Sequence, residues 1–390
     1  MNVLFVTYDF PYPTTSGGKN RAYHLLKYAA QQVNITLFSF VREDYNPDSN
    51  EELKKLGVGK IVVSKRRKLA SLSNIPSTIF QNRSIFKTLY YEKSTFEKLK
   101  EIIREEEIDL VHFESSYTGF YIGHELKKLG VKIVLGTENI EHILYYDYAN
   151  NLKRFYLKPF VNYQAGRLKV EEVQMMNGAD RVTVITEDEK EILRRSFGID
   201  SDIVANGIEP NNFSYEFERK IRGNILFVGN FSYFPNTDAF EFFYKEVFPK
   251  LDSKLQVTVI GKQVSEKFKN TDKRIIKKDF VPDIISEYRS ADILVFPIRI
   301  GGGTNFKVLE AMSLGVPIVA NPARLSGLQA KSEEHFLPAV SADEYVSQIG
   351  RLMDDSSLRQ KLTVNARKLI EDYYAWDKIG KELIRIWKSQ

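Results

Sequence analysis

The chain has no cysteine, which excludes disulfides and thiolate metal sites and fits an intracellular protein. It has no apolar run near the roughly 20 residues needed to span a bilayer. Its start, Met1-Asn2-Val3-Leu4-Phe5-Val6, lacks a basic region and soon turns polar, so no signal peptide is expected. Neither charge dominates: 56 Lys and Arg against 51 Asp and Glu leave a net +5, too even a balance to argue for nucleic acid. Histidine is scarce at five, with no pair at ligand spacing, and His112 and His124 read as half-buried structural residues. Asp200-Ser201-Asp202 has an acid-x-acid spacing that can hold a divalent cation, but it stands in a turn before a strand, where such triplets are common. No metal site is expected.

What remains is a globular chain of 390 residues, 43% hydrophobic, which is long enough for two cores. Its basic residues gather in two places. One is the run Lys65-Arg66-Arg67-Lys68; the other is Lys153, Arg154, Lys158, Arg167 and Lys169, interleaved with Phe155, Tyr156, Phe160 and Tyr163. Two readings stay open for these clusters: a solvated helix face, or a basic, aromatic surface that rests on anionic lipid headgroups.

Short apolar strands alternate with amphipathic stretches along the whole length. Strands are expected at Val3–Thr7, Ile35–Phe40, Lys60–Val63, Leu110–Phe113, Lys132–Leu135, Arg181–Ile185 and Asp202–Ala205. A helical stretch is expected around Ser84–Glu107, and one or two helices over Tyr145–Met176. After a polar, aperiodic segment at 208–223, a second series follows at Asn224–Val228, Leu255–Ile260, Arg274–Lys277, Asp292–Phe296 and Val316–Ala320. Helices are expected between them at Asp238–Phe248, Asp283–Arg289 and Asn305–Leu314. This is an α/β pattern: two doubly wound parallel sheets, each covered on both faces, whose ligands bind outside the carboxyl ends of the strands.

The segment Phe296-Pro297-Ile298-Arg299-Ile300-Gly301-Gly302-Gly303-Thr304-Asn305-Phe306-Lys307-Val308-Leu309-Glu310 carries the clearest chemistry. A strand ends, three glycines let the backbone approach a ligand, and a helix opens at about Thr304, where free N–H groups favour an anion such as a diphosphate. Lys307 is a cation in the first turn of that helix, where the helix dipole disfavours one; a bound diphosphate would account for it. Glu310, in an otherwise apolar helix, needs partners, and two ribose hydroxyls would supply them. The bland alternatives are an ordinary glycine loop and a surface glutamate.

Gly301–Ala320 resembles the donor-site signature of the large retaining family of GT-B glycosyltransferases often called family four, or group 1. Further segments resemble the same family in order: Ser16-Gly17-Gly18 with Arg21, its N-terminal glycine loop facing acceptor and donor phosphate; Glu138-Asn139-Ile140-Glu141, its HNVE element; Asn206-Gly207-Ile208, its interdomain turn. So do Gly229-Asn230 with Pro235-Asn236 at the start of its second domain, Phe280-Val281-Pro282-Asp283 against the nucleobase, and Ala375-Trp376-Asp377 opening the tail. Two departures stand out. Gly302 occupies the place of the first of two family glutamates, and Glu138 that of a common histidine. The Arg and Lys that commonly clamp the diphosphate are replaced by Asn230 and Phe231, so Lys307, Arg299 or Lys262 must take their part, with Lys307 preferred.

The resemblance implies two Rossmann-like domains facing each other across a cleft, with an acceptor domain at 1–207, a donor domain at 208–373 and a helix at 374–390 crossing back. It implies a hexosyltransferase that moves a sugar from UDP- or GDP-sugar to a hydroxyl of a glycan or lipid-linked acceptor, with retention, in polysaccharide synthesis. No cofactor is implied. The location would be cytoplasmic, with peripheral contact to the inner face of an anionic membrane if the basic clusters meet lipid. Gly17, Gly18, Gly303, Thr304, Asn305 and Lys307 would stabilise phosphate and leaving group; Gly302, Gly229, Asn230, Val281 and Arg299 would line the donor; Glu310 would hold ribose. Glu138 or Glu114, at the carboxyl ends of strands, would orient or deprotonate the acceptor, against the alternative of a cap or loop charge. Two rival readings are a non-catalytic glycosyltransferase-like partner subunit, motivated by Gly302 and Glu138, and a GT-B sugar epimerase.

Overall fold

The structure, a computed structural model, describes residues 1–43, 45–67, 83–150, 152, 155–213, 215, 221–300 and 306–389. It divides into two compact units: Met1–Asn206 with Trp376–Gln390, and Gly207–Ala375.

The first unit is built on a parallel sheet of β1 (Asn2–Thr7), β2 (Asn34–Val41), β3 (Ile61–Lys65), β4 (Leu110–Glu114), β5 (Lys132–Gly136), β6 (Arg181–Val184) and β7 (Asp202–Ile203). Its order is β3-β2-β1-β4-β5-β6-β7. The central strands are continuous apolar runs because both sheet faces are covered, and Val3, Leu4, Phe5 and Val6 are all fully buried. The helix Lys93–Glu105 turns Phe96, Leu99, Ile102 and Ile103 to one face and packs them into the core with Val111, Phe113 and Ile133. The helix Trp376–Lys388 belongs to this unit and lies along the helix Gly17–Ala29. Gly380 makes that approach feasible, since a Cβ there would overlap the side chain of Tyr28.

The second unit repeats the plan with β8 (Asn224–Val228), β9 (Gln256–Ile260), β10 (Ile275–Lys278), β11 (Ile293–Phe296), β12 (Ile318–Ala320) and β13 (Leu337–Pro338), in the order β10-β9-β8-β11-β12-β13. In both sheets the chain leaves the first strand in one direction and returns on its other side, between β1 and β4 and between β8 and β11. This is the switch point outside which such sheets bind ligands.

The structure corrects two expectations and adds one strand. The helix expected over Ser84–Glu107 is two helices, Ile85–Tyr90 and Lys93–Glu105. The break holds because the Tyr121 hydroxyl donates to the Tyr90 carbonyl at 2.6 Å and accepts from the Glu92 N–H at 3.1 Å, satisfying groups a continuous helix would have paired. The half-buried reading fails for both histidines: His112 is fully buried on β4 and His124 is exposed at the start of a short helix. Strand β13 had no sequence signal, being two residues long with a proline on the edge. Among the described residues no helix is long and apolar enough to cross a membrane, and no group of His, Asp or Glu is arranged to hold a metal ion.

Candidate functional site

In the first unit the polar residues collect at the β1–β4 switch point. Ser16 caps the helix Gly17–Ala29, accepting from the Lys19 N–H; Gly17 is exposed in its first turn and Gly18 is buried. Gly18 has a steric reason to be glycine: a Cβ would overlap the hydroxyl of Tyr8 and lie 2.8 Å from both carboxylate oxygens of Glu138. Tyr8 at the end of β1, Gly18 and Glu138 beyond β5 therefore meet at one point. Among the described residues Glu138 Oε1 has no hydrogen-bond donor. Burial, helped by the nearby Glu114 charge, raises its carboxyl to about 7, while Arg21 pulls the other way. A carboxyl poised there can take a proton near neutrality.

Glu114 is differently placed. Its Oε1 accepts from Arg21 Nε at 2.6 Å and its Oε2 from His112 at 2.7 Å, and a side chain on Gly136 would crowd both His112 and Glu114. Burial pushes its pKa up, yet the Arg21 charge and the His112 bond outweigh burial and hold it at about 2. With both oxygens committed, it is suited to anchoring Arg21 and poorly suited to accepting a proton. Arg21 does not face outward as the glycine-loop resemblance implies: it is buried, and its Nη1 donates to Val204 O, Ala205 O and Asn206 Oδ1.

Beside this point, the Tyr117 hydroxyl donates to Glu141 Oε2 at 2.8 Å, and burial with the charge of Glu172 raises Glu141 to about 8. The helix Glu141–Asn150 is capped by the buried carboxylate of Glu172, which accepts from the N–H groups of Glu141 and His142 at 3.0 and 2.9 Å. Neither Tyr8 nor Glu172 carries a sequence signal beyond its position.

In the second unit the residues gather at the β8–β11 switch point. Lys307 lies in the first turn of the helix Phe306–Leu314 and reaches back under the end of β8, donating to Val228 O at 3.0 Å and Asn236 Oδ1 at 2.8 Å. Two of its three donors are thus used. Burial lowers its pKa to about 8, with Glu310 opposing the fall. Tyr288 donates to Glu310 Oε2 at 2.8 Å, and among the described residues no donor reaches Oε1. Burial raises the Glu310 pKa; Tyr288 and Lys307 oppose that.

Gly229 follows β8, and Gly261 follows β9 at φ +149°, where a Cβ would overlap the Gly229 carbonyl oxygen. The two strand ends can approach because residue 261 is glycine, whereas a Cβ on Gly229 would crowd the side chain of Asn236. Asn230 is exposed, its side chain accepting from the Ser232 N–H. Val281 is half-buried in the segment before the helix Ile284–Ser290, next to Phe280, which is 82% exposed. Arg299, the alternative diphosphate clamp, is turned onto Asp238 through two bonds of 3.0 and 2.7 Å and stands over the ring of Phe242. That commitment leaves Lys307 as the better-placed cation. Gly302, Gly303, Thr304 and Asn305 lie outside the described residues. Asn236 and Tyr288, which position Lys307 and Glu310, have no role assigned from the sequence.

The model for Glycosyltransferase Family 4 matches residues 15–212, just over half of the chain, and the model for Glycosyl transferases group 1 matches residues 222–355. Two uncharacterized glycosyltransferases of Methanocaldococcus jannaschii are similar in sequence. MJ1607 is 30% identical over 26% of each chain, and MJ1069 is 23% identical over 62% of this chain and 64% of its own. The chain therefore spans less than two thirds of the length of either relative. Among solved structures, sucrose-phosphate synthase of Thermosynechococcus elongatus superposes over 100% of this chain and 98% of its own, with TM-score 0.72 and 16% identity. Anabaena HepE, in complex with UDP, covers 100% of both chains with TM-score 0.71 and 10% identity. The chain has the GT-B fold and belongs to the family of glycosyltransferases that the Family 4 and group 1 models describe.

Proposed function

We propose that this chain transfers a hexose from a nucleoside-diphosphate sugar, UDP-linked before GDP-linked, to a hydroxyl of a glycan or lipid-linked acceptor, with retention at the sugar carbon. The observation that carries the donor half is the pairing of Lys307 and Glu310 at the β8–β11 switch point. The ammonium keeps a donor for a phosphate oxygen and the carboxylate keeps Oε1 for ribose hydroxyls, one helical turn apart. A HepE structure binds UDP and another UDP-glucose, which supports the UDP preference.

The chemistry to be served is breakage of the bond from the sugar carbon to the diphosphate oxygen while the acceptor oxygen bonds to that carbon. Charge grows on the departing diphosphate, and preorganised N–H groups with a cation stabilise it there. We assign that task to Gly17, Gly18, Gly303, Thr304, Asn305 and Lys307, with Gly302, Gly229, Asn230 and Val281 lining the donor. Arg299 has a lesser part, given its bonds to Asp238. The acceptor's proton goes to Glu138, which has an unoccupied oxygen and a pKa near neutrality. Glu114 supports the site by holding Arg21.

Calorimetric titration with UDP, GDP and their sugar conjugates, beside Glu310→Ala, tests the reading. One nucleotide series should bind, and the variant should lose about 1–3 kcal/mol of binding, the worth of a charged hydrogen bond. No binding by any of them ends the donor assignment and favours a non-catalytic partner.

A further inference from the structure

The helices Glu141–Asn150 and Lys158–Gly178 pack as a hairpin whose inner face closes the first unit through Gln164, Leu168, Glu171, Glu172, Met175 and Met176. Its outer side is aromatic. Tyr148, Phe155, Tyr156, Phe160 and Tyr163 stand between 51% and 80% exposed, and neither polar site uses them. Phe160, Tyr163 and Val170 recur at helical spacing and share one outward face. Leaving such side chains in water forgoes the stabilisation that burial would bring, so a cluster of them marks a surface meant to be covered.

The charge of the segment says by what. From Tyr148 to Val170 the sequence contains five basic residues, Lys153, Arg154, Lys158, Arg167 and Lys169, and no acidic one. Among the described residues neither Lys158 nor Lys169 forms an ion pair, Lys169 standing over the Phe197 ring instead. In the other basic cluster Arg66 bonds the Tyr90 hydroxyl and Arg67 pairs with Glu92, while Lys68 lies outside the described residues. A second copy is a poor occupant, because a two-fold contact would set this basic surface against itself. Amphipathic rings on a segment whose charges are all basic suit the headgroup layer of an anionic bilayer, where rings sit at the apolar boundary and cations meet phosphate.

We propose that this hairpin face is a docking surface for an anionic lipid bilayer, holding the first unit at the membrane without crossing it. The proposal does not depend on the donor assignment. The test is sedimentation of the full chain with vesicles of phosphatidylcholine alone and of phosphatidylcholine mixed with phosphatidylglycerol. Retention is expected on the anionic vesicles and should fall as salt rises. The triple variant Phe155→Ser, Phe160→Ser, Tyr163→Ser should weaken it about tenfold or more. Lys158→Gln and Lys169→Gln should each weaken it about fivefold. Phe155, Phe160, Tyr163 and Lys169 are exposed and Lys158 is half-buried, and UDP binding measured on the same samples should be unchanged, which separates this question from the donor site. No retention, equal retention on neutral vesicles, or anionic retention that survives the triple variant overturns the proposal. A dimer in sedimentation equilibrium that the triple variant dissolves also overturns it, in favour of a second copy.

Discussion

The indole N–H of Trp387 donates to Nδ1 of His112 at 3.2 Å, across 275 positions of sequence. An indole can only donate, so Nδ1 is the acceptor and the ring hydrogen sits on Nε2, where it bonds Glu114 Oε2. Glu114 in turn holds Arg21, whose guanidinium gathers the backbone after β7. One line of hydrogen bonds thus joins the last helix, the middle of the sheet and the first helix of the same unit.

Glu114→Gln should destabilise the protein by about 3–5 kcal/mol in urea unfolding, because it leaves the Arg21 charge buried without its counter-ion. The folded pKa is about 2 against an ordinary 4.5, so the pair's stabilisation is complete above the ordinary value and is lost as pH falls toward about 2. The variant should show a shallower acid loss. Equal acid profiles would remove Glu114 from this account.

Gly18→Ala places a methyl group against the Tyr8 hydroxyl and the Glu138 carboxylate and should cost about 1–3 kcal/mol in thermal or urea unfolding. Adding Tyr8→Phe removes the nearest atom and should return part of that stability. Gly261→Ala meets backbone at a left-handed φ and should have no such side-chain rescue.

Lys307 gives the donor site a basic limit. Its ammonium is lost above about 8, so UDP affinity by calorimetry should decline as pH rises through that value. Lys307→Met should bind more weakly by about 1–3 kcal/mol and lose this alkaline decline. A decline that persists in the variant points to another group.

Glu138 sets the opposite limit if it takes the acceptor's proton. It must be ionised, so kcat/KM should rise with pH through about 7. Glu138→Gln should abolish the acid limb and lower turnover by about 100- to 10,000-fold. Unchanged turnover would return Glu138 to a structural role.

Much of the scaffold is legible because its central strands, buried on both faces, must be continuous apolar runs bounded by turns. The runs at Val3–Thr7, Asn224–Val228 and Asp292–Phe296 announce strands, and the glycines that follow each of them announce carboxyl ends where a ligand approaches. Direction is what local pattern conceals. Arg21 sits beside two glycines as a phosphate-facing residue would, yet it turns inward because Glu114, 93 positions away, is there to neutralise it. Arg299 adjoins the glycine run, yet Asp238, 61 positions away, claims its fork. The break at Tyr91 depends on a hydroxyl from Tyr121, which no helix periodicity contains.

The sequence by itself therefore determined two α/β series, the segments that end their strands, and a lysine and a glutamate spaced one turn apart on one helix. Those properties are written in neighbouring residues, through apolar period and backbone permission. Only the tertiary structure decided which charges are spent and which remain: Glu114 neutralised by Arg21, Glu138 left with an open oxygen, Lys307 drawn under β8 by Asn236, Glu310 half-held by Tyr288. A side chain's ionisation and reach depend on the partners that folding brings within a few ångströms, and chain order does not specify those partners.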